Sequence, residues 1–223
     1  MNSSWVPTSA GALVTGVLAL FAGVLLLPAT GGDTAETLRM VREEDGRWLG
    51  VGVMLFLGGA GMMLGLPACM VLFRRRGRVL GGIGVVVMAL AAAATAGYAM
   101  LVVFFRALVL SEAIRPDAFD AVLNDTGLTI MLLGWVVSFY VGELLLAVAV
   151  LRSGTVARWI PGVLIAHVAL WPVSMVLPDE ASTFTVGLVV LGFCGLAFGA
   201  VAEAERTLVD RAPSMMELPR ALG

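Results

Sequence analysis

Charged residues along the chain leave long gaps, at 1–32, 48–73, 79–105, 126–142, 159–178 and 181–202. Each gap could cross the hydrocarbon core of a bilayer, which takes about 20 apolar residues as a helix. The pattern predicts an all-α polytopic membrane bundle of six transmembrane helices, over about 10–27, 48–73, 79–110, 127–151, 159–177 and 183–202. The six-span domain covers 1–202 and a short tail follows at 203–223. The first span has a rival reading as a cleaved signal peptide, but MNSSWVPTS ahead of it lacks a positive n-region. Short polar helices are expected in the loops, one within AETLRMVREEDGR and one within SEAIRPDAFDAVLNDT, broken at Pro116.

Composition sharpens the class. With 60% hydrophobic and 13% charged residues and a mean hydropathy of +0.99, the chain is no soluble domain, disordered segment or nucleic-acid binder. All 14 basic residues are Arg. The absence of Lys excludes a Schiff base with retinal or pyridoxal, and excludes a P-loop lysine, so no nucleotide is expected. The single histidine, His167, excludes a two-histidine haem site or an HExxH metal site within one chain. Cys69 and Cys194 form no CxxC pair. No cofactor and no metal are expected. Arg in place of Lys, with heavy Ala, Gly and Val usage, suggests a GC-rich bacterial genome.

The charges also have sides. Arg74, Arg75, Arg76, Arg78, Arg152, Arg158, Arg206, Arg211 and Arg220 fall on one side of the six-span layout. Arg39, Arg42, Arg47 and Arg115 fall on the other, with eleven of the sixteen acids. The positive-inside rule then places both termini in the cytoplasm and the chain in the inner membrane as a multi-pass protein.

Charge at mid-membrane is costly and marks a candidate site. Glu143 is the only acid inside a span, eight residues from Leu151, or about 12 Å deep at 1.5 Å per residue. His167 lies eight residues from Trp159 on the next span, at the same expected depth. A Glu143–His167 hydrogen bond would make a proton relay, a cation site or a pH-sensitive lock. The alternative is that each bonds a neighbour, Tyr140 or Ser138 for Glu143, and merely pins the packing. Cys194 reaches a similar depth, which makes a Glu143–His167–Cys194 metal set conceivable.

Several features bear on packing. Arg106 is expected to snorkel to the surface, or to pair with Glu112. The run Gly134-x-x-x-Ser138-x-x-x-Gly142 suggests a small-residue ridge that makes span four central, with Gly134 and Gly142 as packing positions. Gly61-x-x-x-Gly65 and Gly195-x-x-x-Gly199 match the same spacing with little specificity. Pro67 and Pro172 are candidate kinks. Arg78-Val79-Leu80-Gly81-Gly82-Ile83 faintly repeats as Arg158-Trp159-Ile160-Pro161-Gly162-Val163, which a shared turn grammar explains without duplication.

The hairpin LLLAVAVLRSGTVARWIPGV, from Leu144 to Val163, closes one span in Leu-Arg-Ser and opens the next in Arg-Trp-Ile-Pro. In this it resembles uncharacterised bacterial six-helix membrane families. The resemblance implies a six-span fold and no assigned reaction. The functional expectation is a structural or accessory subunit, not an enzyme, packing in the lipid bilayer with another membrane protein or with itself. The alternative is a small-solute or proton-linked transporter or channel using Glu143 and His167.

Overall fold

The computed structural model describes residues 4–28, 33–73, 76–174 and 179–209. The described residues are mostly helical, with no strand among them. They form α1 (Trp5–Leu26), α2 (Thr34–Glu43), α3 (Asp45–Gly65), a 3-10 segment (Leu66–Phe73), α4 (Arg78–Leu110), α5 (Pro116–Leu123), α6 (Thr126–Ser153), α7 (Trp159–Ser174) and α8 (Asp179–Val209). Five helical stretches are long and apolar enough to cross a membrane: Trp5–Leu26, Asp45–Phe73, Arg78–Leu110, Thr126–Ser153 and Thr185–Val209. Trp159–Val173 is apolar but shorter. Arg74, Arg75, Arg211 and Arg220, the expected end of span five at 175–177 and the tail beyond 209 lie outside the described residues.

Local chemistry sets the boundaries. The Asp33 carboxylate accepts from the Glu36 N–H at 2.8 Å, and Asp125 accepts from the Leu128 N–H at 2.7 Å, capping α2 and α6. The turn into α4 uses Gly77 at φ +79°, and α6 stops at Gly154 at φ +65°, where a Cβ would be strained. Two expectations need correction here. Pro116 begins α5 rather than breaking a helix, because its missing N–H costs nothing in the first turn. The second span is not one α-helix: it changes to 3-10 geometry at Leu66, with Pro67 in the first turn.

Six helices, α1, α3, α4, α6, α7 and α8, alternate in direction. Each packs on its neighbours in chain order, and α8 returns to pack on α1. No other pair among these six comes into contact within the described residues, so they make a closed ring. One end of the ring carries Arg76, Arg78, Arg152 and Arg158; the other carries Asp45, Asp125 and the short helices α2 and α5. The 3-10 segment lies inside the arginine-rich end, touching α1, α3, α4, α6 and α8. Side chains three apart eclipse in this geometry, so Leu66, Cys69 and Leu72 line up fully buried while Pro67 and Met70 face outward. The segment thus fills space between five of the six helices at that end.

Contact between the helices depends on missing side chains. In lipid, association rests on close packing rather than on the hydrophobic effect. At the α1–α3 crossing a Cβ on Gly61 would lie 2.6 Å from the Gly16 Cα, and one on Gly58 would lie 2.9 Å from the Leu20 nitrogen. Beside them the Ser9 hydroxyl donates to the Leu64 carbonyl at 2.8 Å. Gly142 plays the same part between α6 and α4, its Cβ position being 2.8 Å from the Met88 nitrogen. Gly134 faces outward, with nothing within 4 Å of a Cβ there, so no described residue of this chain packs on it.

Candidate functional site

Glu143 sits beside Gly142, and the close α6–α4 approach leaves it 0% exposed. His167 comes from α7, which seats tightly on α8 because Gly192 and Gly195 leave room for Leu164 and Ile160. The hairpin through Gly154 brings the two side chains together. His167 Nδ1 lies 2.7 Å from Glu143 Oε2, with His167 5% exposed. When Glu143 is ionised it can only accept, and Nδ1 is then the donor. Glu143 Oε1 is buried and has no hydrogen-bond partner among the described residues.

The other proposed partners go elsewhere. The Ser138 hydroxyl donates to the Gly134 carbonyl of its own helix at 2.6 Å and does not reach Glu143. Tyr140 stacks instead of bonding: its ring lies between His167, at a centroid distance of 5.3 Å, and Trp171, at 4.6 Å. Pro172 lies inside α7, one residue beyond Trp171. Cys194 is half-buried, and no three His, Cys, Asp or Glu side chains among the described residues are grouped to hold a metal. Arg106 neither runs free to the surface nor pairs with Glu112. Its Nη2 donates to Asp45 Oδ2 at 2.6 Å and its Nε to the Asp45 carbonyl at 2.9 Å, tying α4 to the start of α3.

Above the pair, toward the acidic end, all six helices line a partly open chamber of about 380 Å³. No family model matches the chain, and neither does any curated protein or solved structure. Function has to be read from the chamber itself.

Its walls combine the aliphatic Leu20, Leu55 and Val189 with the rings of Tyr98, Trp135, Phe139, Tyr140 and Trp171, and its floor is His167. Tyr98 stacks on Trp135 at 4.7 Å, and the Trp135 indole N–H donates to the Thr95 hydroxyl at 3.0 Å. That hydroxyl in turn donates to the Ala91 carbonyl at 2.9 Å, so the Trp135 ring is locked in place. Neither the Tyr98 nor the Tyr140 hydroxyl has a hydrogen-bond partner among the described residues. With Nδ1 held by Glu143, Nε2 is the ring nitrogen of His167 left for an occupant.

The sequence pointed to Glu143, His167 and Tyr140, and to Pro172 as a kink beside Trp171. It missed Tyr98, Trp135, Phe139 and Thr95. Their only signal was the placing of aromatics well inside two spans, away from the interfaces where aromatic belts collect.

Proposed function

We propose that this chain is a six-span protein of the bacterial cytoplasmic membrane, with both termini in the cytoplasm, that binds a small solute in the chamber and moves it in step with a proton on the Glu143–His167 pair. One observation carries the reading: the chamber ends on a histidine whose other nitrogen is held by a fully buried carboxylate. A relay needs a group that exchanges protons with a chamber and a second group that stabilises the charged form, and this is that arrangement. An accessory role needs only packed helices and has no use for a chamber with free phenol hydroxyls. The Leu66–Phe73 segment packs on five of the six helices at the arginine-rich end, so passage of a solute through that end requires it to shift.

Proton exchange is tested without knowing the solute. A pH step on membranes should change the infrared carboxylate bands, and subtracting the Glu143→Gln spectrum should isolate one buried group whose bands move when its histidine partner gains or loses charge. Identical pH-difference spectra for wild type and Glu143→Gln would end the relay reading.

Orientation is tested by thiol labelling of Arg76→Cys and Asp120→Cys, each in a chain with Cys69 and Cys194 replaced by Ala. Both positions are exposed. In intact cells an impermeant reagent should modify only the Asp120→Cys protein. Reaction at both sites would remove the six-span layout.

A further inference from the structure

We propose that the chamber takes a small organic cation carrying an aromatic or aliphatic group, and that this cation exchanges for the proton of the Glu143–His167 pair. The inference rests on the proton-linked reading above and adds the class of solute.

Charge is the first argument. Among the described residues the lining contains no arginine, and the one acidic side chain beside the chamber is Glu143, behind His167. An anion would meet carboxylate and ring faces, both repulsive to it. A cation meets the electron-rich rings of Tyr98, Trp135, Phe139, Tyr140 and Trp171, and is attracted to any ring face left open to the chamber. The Tyr98 and Tyr140 hydroxyl oxygens, which no described group occupies, add lone pairs. A volume of about 380 Å³ falls within the roughly 300–1,000 Å³ usual for small-molecule sites.

Neutrality is the second argument. A net charge buried away from water is expensive, so the empty pair is cheapest with the one proton that makes its net charge zero, whether as carboxylate plus imidazolium or as carboxylic acid plus imidazole. A cation entering against His167 would raise the net charge to +1. Loss of that proton to water leaves carboxylate plus neutral imidazole, net −1, and the cation's +1 restores zero. The stoichiometry is one cation bound for one proton released. Nothing else nearby competes for the role. On the elements packed around the pair, the other titratable side chains within the membrane are Tyr140 on α6, Tyr98 on α4, Cys194 on α8 and Cys69 on the 3-10 segment. All are neutral when protonated and none supplies a positive charge to the chamber. Arg106, the one intramembrane arginine, is committed to Asp45 at the acidic end.

The test uses the full-length protein in lipid nanodiscs, with benzyltrimethylammonium as probe and fluorescence of Trp135 and Trp171 as readout. Neopentylbenzene has the same shape with carbon in place of the charged nitrogen, and benzenesulfonate is the anionic control. Saturable binding of the cation is expected, with the neutral isostere weaker by about tenfold or more and no binding of the sulfonate. Because binding releases a proton, cation affinity should rise with pH by up to about tenfold per unit until the empty pair is already deprotonated. Glu143→Gln should flatten that dependence, and Trp171→Leu should weaken binding without flattening it. These comparisons of ligand and pH stand on the wild-type protein even if a variant does not fold. Equal binding by the isostere, an affinity independent of pH, or no saturable binding of the cation would each overturn the proposal. If the infrared signal of Glu143 still responds to pH in that event, the proton relay survives and only the cation is lost.

Discussion

Gly65→Leu is expected to yield no folded protein, where Gly134→Ala yields a protein at least as stable as wild type. A Cβ on Gly65 would overlap the Leu13 backbone on α1, and the neighbouring Gly61 and Gly16 leave no slack for the helices to slide apart locally. Overpacking a core usually costs about 1–3 kcal/mol, because side chains give way. Here the obstructing atoms are main chain, so two helices must separate. Their packing is then lost along the crossing, from Gly58 to Gly65. With net stabilities of about 5–15 kcal/mol, that loss is enough to unfold the bundle. At Gly134 the added methyl meets nothing, and removing a mid-helix glycine gains about 0.5–1 kcal/mol. Size-exclusion profiles of detergent-solubilised, fluorescently tagged protein would separate the cases. A monodisperse Gly65→Leu protein melting with the wild type would show that α1 and α3 do not cross as described.

The second large effect concerns Glu143 and His167, and its signature is non-additivity. His167→Leu leaves a carboxylate buried with neither oxygen paired, and breaking a buried pair in this way costs about 3–5 kcal/mol. Glu143→Leu leaves a neutral imidazole with one unmade hydrogen bond, costing about 1–3 kcal/mol. The double replacement removes both polar groups and keeps roughly the same volume, so it should be neutral or stabilising by about 1–4 kcal/mol. The expected order of melting temperatures in one detergent is His167→Leu lowest, then Glu143→Leu, then wild type, with the double variant equal to it or above. Additive losses would mean that the side chains do not share a hydrogen bond. A double variant that is stable but lacks the pH-dependent infrared signal would show that the pair is kept for what it does rather than for what it holds up.

Much of the bundle was legible because lipid imposes a simple rule on charge: gaps between charged residues marked the apolar helices. Counting residues from the span ends also put Glu143 and His167 at one depth, since rise per residue is constant. Rotation was another matter. These helices are apolar on every side, so no hydrophobic stripe says which face turns inward. The ridge of Gly134, Ser138 and Gly142 shows the difficulty. Each step of four residues drifts by about 40° on a helix of 3.6 residues per turn, so eight residues carry the ridge about 80° away from where it began. Gly142 therefore meets α4 while Gly134 looks outward. Ser138 was lost to its own helix, because a carbonyl one turn back is always in reach. Arg106 and Asp45 lie 61 residues apart, and only the neighbouring of α3 and α4 joins them.

A ring whose members follow chain order has a consequence for how the protein is made. The helices enter the membrane one after another, and the circle is complete only when the last, α8, comes to rest against the first. Glu143 and His167 can meet as soon as the hairpin of α6 and α7 forms, but the chamber above them has no wall on one side until then. During synthesis the polar pair is thus partnered early and enclosed late. The docking of α8 on α1 is the step that closes the ring around the chamber.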